Sequence, residues 1–210
     1  NQLLDFRKAE NKGFKLNPKE YNIGTIVHSV YKYFTTLAKQ RGIKFEVEVP
    51  EEELLASVDK EALTKILSNL FANALKYART YVYLHLSVDE KNEVFTISMS
   101  NDGNIVPIEM RENIFKAFVQ YRDGKDIVSG TGIGLAMARY LAELHQGMLV
   151  MDRELDCNRF ILSIPILHQT LPDDSEEQHK KPGYDDEDRE VSDKDKREVA
   201  SILVVEDNKD

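Results

Sequence analysis

The sequence predicts an α+β domain, a two-layer α/β sandwich whose mixed, mostly antiparallel sheet is covered by helices on one face. Apolar residues recur at 3.6-type spacing over Ile23–Gln40, from Asp59 to about Ala78, and over Ile133–His145. Between these helices Ile43–Val49, Tyr81–Val88 and Val94–Ser100 alternate apolar with polar residues, as strands with one buried face do. The order of these pieces segregates the helices to one side of the sheet.

Each element has a local reason. Phe14–Tyr21 is a short extended stretch interrupted by Asn17-Pro18. The first helix carries Ile26, Val27, Val30, Tyr31, Phe34, Leu37 and Ala38 on its inner side and is ended by Arg41-Gly42. Val58 is a short strand, and Asp59 caps the next helix by accepting an orphan amide. Tyr81–Val88 and Val94–Ser100 pair as a hairpin through Asp89–Glu93. Asn101–Pro107 is a loop, Ile108–Phe115 a short helix, and Val119–Ser129 a polar, aperiodic stretch that reads as a mobile loop. Ile133–His145 is amphipathic and stopped by Gly147. Met148–Met151 and Phe160–Ile166 complete the sheet, with a turn at Asp156–Asn158.

The net charge of −9 is unevenly spread over the 210 residues. Residues 173–198 hold twelve Asp or Glu against six Lys or Arg, so a balance of −6 belongs to this stretch and −3 to the rest. A near-neutral globular part carries no nucleic-acid footprint. No run approaches the roughly 20 apolar residues that cross a bilayer, so no membrane contact is expected of this segment. Cys157 is the only cysteine, which excludes a disulfide framework, fits a reducing compartment and, with no clustered histidines, argues against structural zinc. Four segments are expected: 1–13, the end of a helix whose beginning is missing; 14–167, the globular domain; 168–198, an acidic disordered linker; and 199–210, a buried-type strand ending in carboxylates. Such a chain reads as an excised piece.

Two stretches point to chemistry. In Leu67–Tyr77 the apolar residues Leu67, Leu70, Phe71, Ala74 and Leu75 face a core, which leaves Asn69 and Asn73 one turn apart with Lys76 three residues on. Asn is a poor residue for a helix interior, so the stack is either a pair of satisfied amides at the core margin or a polar pocket. Gly130-Thr131-Gly132-Ile133-Gly134-Leu135 favours the pocket: closely spaced glycines let backbone amides turn inward at a helix start, which suits phosphate. No Gly-Lys-Ser/Thr follows, so this is not a Walker loop, and no strand leads directly into it, so it is not a Rossmann turn. Between them, Ser100-Asn-Asp-Gly-Asn-Ile-Val-Pro107 follows a strand, and an amide or carboxylate there could read the exocyclic amine of adenine. Taken alone it is an ordinary turn.

In this order, the Asn-x3-Asn-x2-Lys-Tyr helix, Asn101-Asp102-Gly103, Ile114-Phe115-Lys116-Ala117-Phe118 and the glycine triplet resemble the N, G1, F and G2 boxes of sensor histidine kinases. The resemblance covers about residues 14–167 and implies the nucleotide fold that these kinases share with Hsp90 and type II topoisomerases. Leu3–Glu10 looks like the end of a dimerisation helix, and Ile202–Asn208 is similar to the first strand of a receiver domain, with Glu206 and Asp207 as its carboxylates. The resemblance therefore implies a hybrid two-component kinase from the cytoplasmic side of a bacterial membrane-bound sensor.

Carried over residue by residue, Asn73 would ligand Mg²⁺ and Asn69 would lie beside metal and phosphates. Lys76 would balance phosphate charge, Tyr77 would line the adenine end, and Phe115 and Phe118 would pack the base of a lid. Gly130, Thr131, Gly132, Ile133, Gly134 and Leu135 would surround the phosphates. Arg122 and Lys125 would reach the terminal phosphate or stay solvated. The family's G1 pattern is Asp-x-Gly-x-Gly; here the adenine-reading position is Asn101 or its neighbour Asp102, and Ile105 stands where the second glycine belongs. Relatives that hydrolyse ATP carry Glu at the position of Asn69, whose amide cannot act as a general base for water.

The implied function is to bind Mg-ATP and donate its γ-phosphoryl group to a histidine of a dimerisation domain, and from there to a receiver. The alternatives are a non-catalytic nucleotide-binding or docking module and a hydrolase of the chaperone or topoisomerase type. None of the five histidines stands in the setting of the acceptor; His28 and His145 are expected to be partly buried or capping.

Overall fold

The computed structural model describes residues 14–120, 130–152 and 157–167. The expected dimerisation helix end, acidic linker and receiver strand, most of the loop before Ser129 and the turn residue Asp156 lie outside them.

Three helices form where the caps and apolar spacing place them. Helix α1 (Ile23–Gln40) begins at Asn22, whose side chain accepts from the Thr25 amide at 3.2 Å. It ends in a Schellman closure. Gly42 takes φ +66°, its amide donates to the Lys39 carbonyl, and that of Ile43 donates to Ala38. Helix α2 (Lys60–Tyr77) is capped by Asp59, which accepts from the Ala62 amide at 2.9 Å. Helix α3 (Gly134–Leu144) stops one residue earlier than expected: Gln146, not Gly147, takes the left-handed φ of +58°. Gly147 is required for a different reason, since a Cβ there would lie 2.4 Å from the Ser163 carbonyl oxygen.

The strands are β1 (Lys19–Asn22), β2 (Lys44–Glu48), β3 (Leu55–Val58), β4 (Tyr81–Asp89), β5 (Val94–Asn101), β6 (Met148–Met151) and β7 (Asn158–Pro165). Five of them form one sheet in the order β2-β4-β5-β7-β6, antiparallel except for the parallel β2–β4 edge. β1 and β3 form a separate antiparallel pair, which the sequence pattern did not foretell. Its tie to the main sheet is the Ser57 amide, donated to the Ile166 carbonyl at 2.9 Å. Asn158, expected in a turn, opens β7, and the register sets it opposite Asn101 at the end of β5.

Alternation decides which face is covered. Val82, Leu84 and Leu86, Phe95, Ile97 and Met99, and Phe160, Leu162 and Ile164 are all buried. Against them lies α2, packed between α1 and α3. Leu63, Ile66, Leu67, Leu70 and Phe71 of α2 are wholly buried, each contributing about 1.5–3 kcal/mol relative to exposure. Phe71 also takes an edge-on contact with Phe45, ring centroids 5.2 Å apart. This burial fixes the rotation of α2, and so the direction of its polar residues.

Two details differ from expectation. Ile108–Phe115 is not one helix but two 3₁₀ turns, Ile108–Met110 and Asn113–Phe115. Between them the buried Arg111 turns inward, its Nε donating to the Val106 carbonyl at 3.0 Å and a guanidinium nitrogen donating to Asp152. His28 is exposed on α1 rather than partly buried. His145 is fully buried, further in than the partial burial expected of it. Its Nε2 accepts from the Asp59 amide at 3.1 Å, which leaves Nδ1 to donate to the Leu141 carbonyl at 2.7 Å. That ring joins the end of α3 to the start of α2. Among the described residues no helix is long and apolar enough to cross a membrane.

Candidate nucleotide site

Asn69, Asn73, Lys76 and Tyr77 are all half-buried along the last three turns of α2. The glycine turn lies directly against this stripe. A Cβ on Gly134, the first residue of α3, would stand 3.0 Å from Asn69 Oδ1, and one on Gly130 would stand 2.9 Å from Lys76 Nζ. At both positions a side chain would crowd these polar groups, and the Asn69 amide or the end of the Lys76 chain would have to move aside. At Gly132 glycine is required twice over: φ is +70°, and a Cβ would lie 2.9 Å from the Phe118 backbone.

The turn is tied to the segment before it. The Phe118 amide donates to the Gly132 carbonyl at 3.0 Å, and the Gln120 side chain donates to Gly130. Phe118 adopts φ +66° and its ring is exposed, whereas Phe115 is buried under the Arg139 guanidinium, 3.8 Å from the ring centroid. Arg139 in turn pairs with Glu112 and donates from Nε to the Leu149 carbonyl, so the base of this segment is anchored to α3 and β6. The residue capping helix α3 is Ile133, which has no side-chain oxygen to give the helix start, unlike Asn22 and Asp59 before α1 and α2. Ile133 is buried, Thr131 is exposed, and Leu135 is half-buried against the core. Arg122 and Lys125 lie outside the described residues.

At the far end of α2, Lys76 Nζ sits 4.8 Å from the Tyr77 ring centroid. The Tyr77 carbonyl abuts the loop after β5, where a Cβ on Gly103 would lie 2.3 Å from that oxygen and 2.9 Å from Asn101 Oδ1. In this loop the two neighbours Asn101 and Asp102 have different tasks. The Asp102 carboxylate accepts from the amides of Arg79 at 2.9 Å, Thr80 at 2.9 Å and Tyr81 at 3.2 Å, and from the Thr80 hydroxyl. Desolvation alone would raise its pKa. The hydrogen bonds from Thr80, Tyr81 and Arg79 outweigh it and hold the carboxyl at about 2. Asp102 thus fastens the loop to the α2–β4 turn.

Asn101 is 1% exposed, and its Oδ1 accepts from the Gly103 amide at 3.0 Å and more weakly from Asn158 Nδ2 at 3.4 Å. Asn158 spans the loop: its Oδ1 accepts from the Val106 amide at 3.0 Å and its Nδ2 donates to the Asn104 carbonyl at 2.8 Å. Arg79 adds a contact to the Asn104 side chain. Asn158 and Arg111 escaped sequence reasoning, because a buried amide or guanidinium has no periodic signature. Only strand register brings Asn158 to the loop.

Three elements far apart in sequence therefore meet: the loop after β5 and the glycine turn before α3 both lie against the polar stripe of α2. Among the described residues no group of three or more His, Cys, Asp or Glu gathers to hold a metal. A divalent cation here would depend on amide oxygens together with oxygens of its own ligand, an arrangement that suits Mg²⁺.

The chain belongs to the histidine kinase-, DNA gyrase B- and HSP90-like ATPase family, whose model matches residues 58–168, more than half its length. It is an ATP-binding catalytic domain of the histidine kinase kind. Histidine kinase P4 of Formosa agariphila is 28% identical over 178 residues, which are 82% of this chain but only 13% of that protein. The catalytic domain of the histidine kinase ThkA shares the fold, with a TM-score of 0.64 and 24% identity over 72% of this chain and 97% of that one. Full-length ShkA, solved in complex with AMPPNP, aligns with a TM-score of 0.69 and 25% identity, covering 79% of this chain and 34% of that one.

Proposed function

We propose that this chain holds Mg-ATP between α2 and the glycine turn and presents the γ-phosphoryl group to a histidine on a dimerisation domain of the same full-length protein. A receiver domain, begun by Ile202–Asn208, takes the group onward. The observation that carries this reading is the close approach of Gly134 to Asn69 and of Gly130 to Lys76: side chains and backbone that suit a polyphosphate lie side by side.

The division of labour follows from residue chemistry. Asn73 supplies the amide oxygen for Mg²⁺, and Asn69 lies next to it on the same face, against the start of α3. Lys76 neutralises phosphate charge, and the glycine turn offers backbone amides. Asn101, buried at the end of β5, reads the base, while Asp102 is occupied in holding the loop. Catalysis then consists of in-line positioning and charge stabilisation. No general base stands at position 69, so water is a poor competitor for the phosphoryl group. The full-length protein works on the cytoplasmic side of a membrane, where ATP and the receiver are available.

Supplying a cognate dimerisation segment in trans with radiolabelled ATP tests the reading. Acid-labile phosphohistidine should form on that segment only when this chain is present, and none should form on the chain's own histidines. ATP binding without any such transfer would instead identify a non-catalytic module, and rapid phosphate release without an acceptor would identify a hydrolase.

A further inference from the structure

The orientation of the Asn101 amide carries a consequence for base choice. An asparagine can turn its oxygen or its nitrogen toward a ligand, and the choice here is fixed by partners that cannot exchange roles. The Gly103 backbone amide is only a donor, and it stands 3.0 Å from Asn101 Oδ1. The second partner is fixed in the same manner. Asn158 must direct Oδ1 at the Val106 amide and Nδ2 at the Asn104 carbonyl, so Nδ2 is also the atom facing Asn101 Oδ1. Both acceptor sites of the Asn101 oxygen are thereby used within the loop. With the side chain 1% exposed, flipping the amide would set Nδ2 against the Gly103 N–H in a place where water cannot relieve the clash. The Nδ2 hydrogens are what Asn101 has left to offer a ligand.

We infer that Asn101 is a specificity-determining residue that addresses the purine as a hydrogen-bond donor, so that the site takes 6-oxopurine triphosphates as readily as ATP. This rests on the proposal that Asn101 is the base-reading residue. An acceptor at this position pairs with the exocyclic amine of adenine, which 6-oxopurines lack. A donor is satisfied by O6 of hypoxanthine or guanine, or by N1 of adenine, and makes no use of that amine. A site that hydrogen-bonds a substrate group rejects an analogue lacking it strongly, and an Asn101 that only donates makes no such bond to the 6-amino group.

The test is a calorimetric comparison, in Mg²⁺, of ATP, inosine triphosphate and purine riboside triphosphate, which carries hydrogen at position 6. The parent chain should bind inosine triphosphate within about fivefold of ATP, and removal of the 6-amino group should cost less than about fivefold. Asn101→Asp replaces the donor by an acceptor and should weaken inosine triphosphate relative to ATP by about tenfold or more. Should that variant fail to fold, the two analogues on the parent chain decide the matter alone. A parent preference for ATP over both analogues beyond about fivefold overturns the inference, as does an unchanged ratio in Asn101→Asp. A chain that binds none of the three contradicts the nucleotide site itself.

Discussion

At the glycine end of α2, half-buried polar side chains of the helix meet bare backbone. At the Asn101 end, a carboxylate and two amides are sealed against backbone donors, and most of their hydrogen-bonding capacity is used by the fold. Asp102 alone takes three amides and a hydroxyl. The same residue types, Asn and Asp beside glycine, are thus placed beside bare backbone at one end and consumed in loop architecture at the other. What separates them is the neighbouring element: a helix satisfies its own backbone amides internally, whereas a loop closing over a strand end must satisfy them with its side chains.

Substitutions should divide along that line, the phosphate end losing binding and the base end losing stability. The largest effect is expected from Asn73→Ala. Calorimetry with and without Mg²⁺ should show the metal-dependent part of nucleotide binding gone while the melting temperature is nearly kept. A variant that still gains affinity from Mg²⁺ would remove Asn73 from the metal site.

Gly103→Ala comes next and should act on the fold. Its Cβ would fall 2.3 Å from the Tyr77 carbonyl oxygen, so the loop and the end of α2 must part, at a cost of about 1–3 kcal/mol in urea unfolding. Lys76→Met keeps the aliphatic stem and removes the charge. ATP should bind about tenfold more weakly while adenosine binds as before, because only the phosphates sense the ammonium. Equal losses for both ligands would place Lys76 at the base instead.

The smallest effect is expected from Asp102→Ala, about 1 kcal/mol, because the donors it leaves at Arg79 and Thr80 are exposed and water replaces the carboxylate. Its pH dependence is the sharper readout. The folded-state pKa of about 2 lies below the ordinary value of 3.8, so the ionised carboxylate stabilises the fold above about pH 4. That contribution is lost as the pH falls toward 2, and the parent should lose stability in this window faster than Asp102→Ala does. Parallel curves would show that the carboxylate has no such role.

Much of the fold was legible in the chain. Helix α1 begins and ends where Asn22 and Gly42 dictate, and the β4–β5 hairpin follows from strict alternation, because both signals are local. The Ile108–Phe115 helix was misread because Arg111, polar in the sequence, spends its side chain on the backbone of two other segments. Gly147 was read as a conformational stop although its true constraint is the approach of β7. The β1–β3 pair was invisible because its two short strands pair across the whole length of α1.

The order of the polar stripe, the Asn-Asp-Gly loop and the glycine triplet could be read from the sequence alone. Their residue types carry a signal that does not depend on packing: paired amides on a helix, and glycines where backbones approach closely. Only the tertiary structure decided that Gly130 and Gly134 lie on Lys76 and Asn69, that Asp102 is consumed in holding its loop, and that Asn158 orients Asn101. Those outcomes depend on strand register and on how buried donors are shared among segments distant in the chain, and no local pattern encodes either.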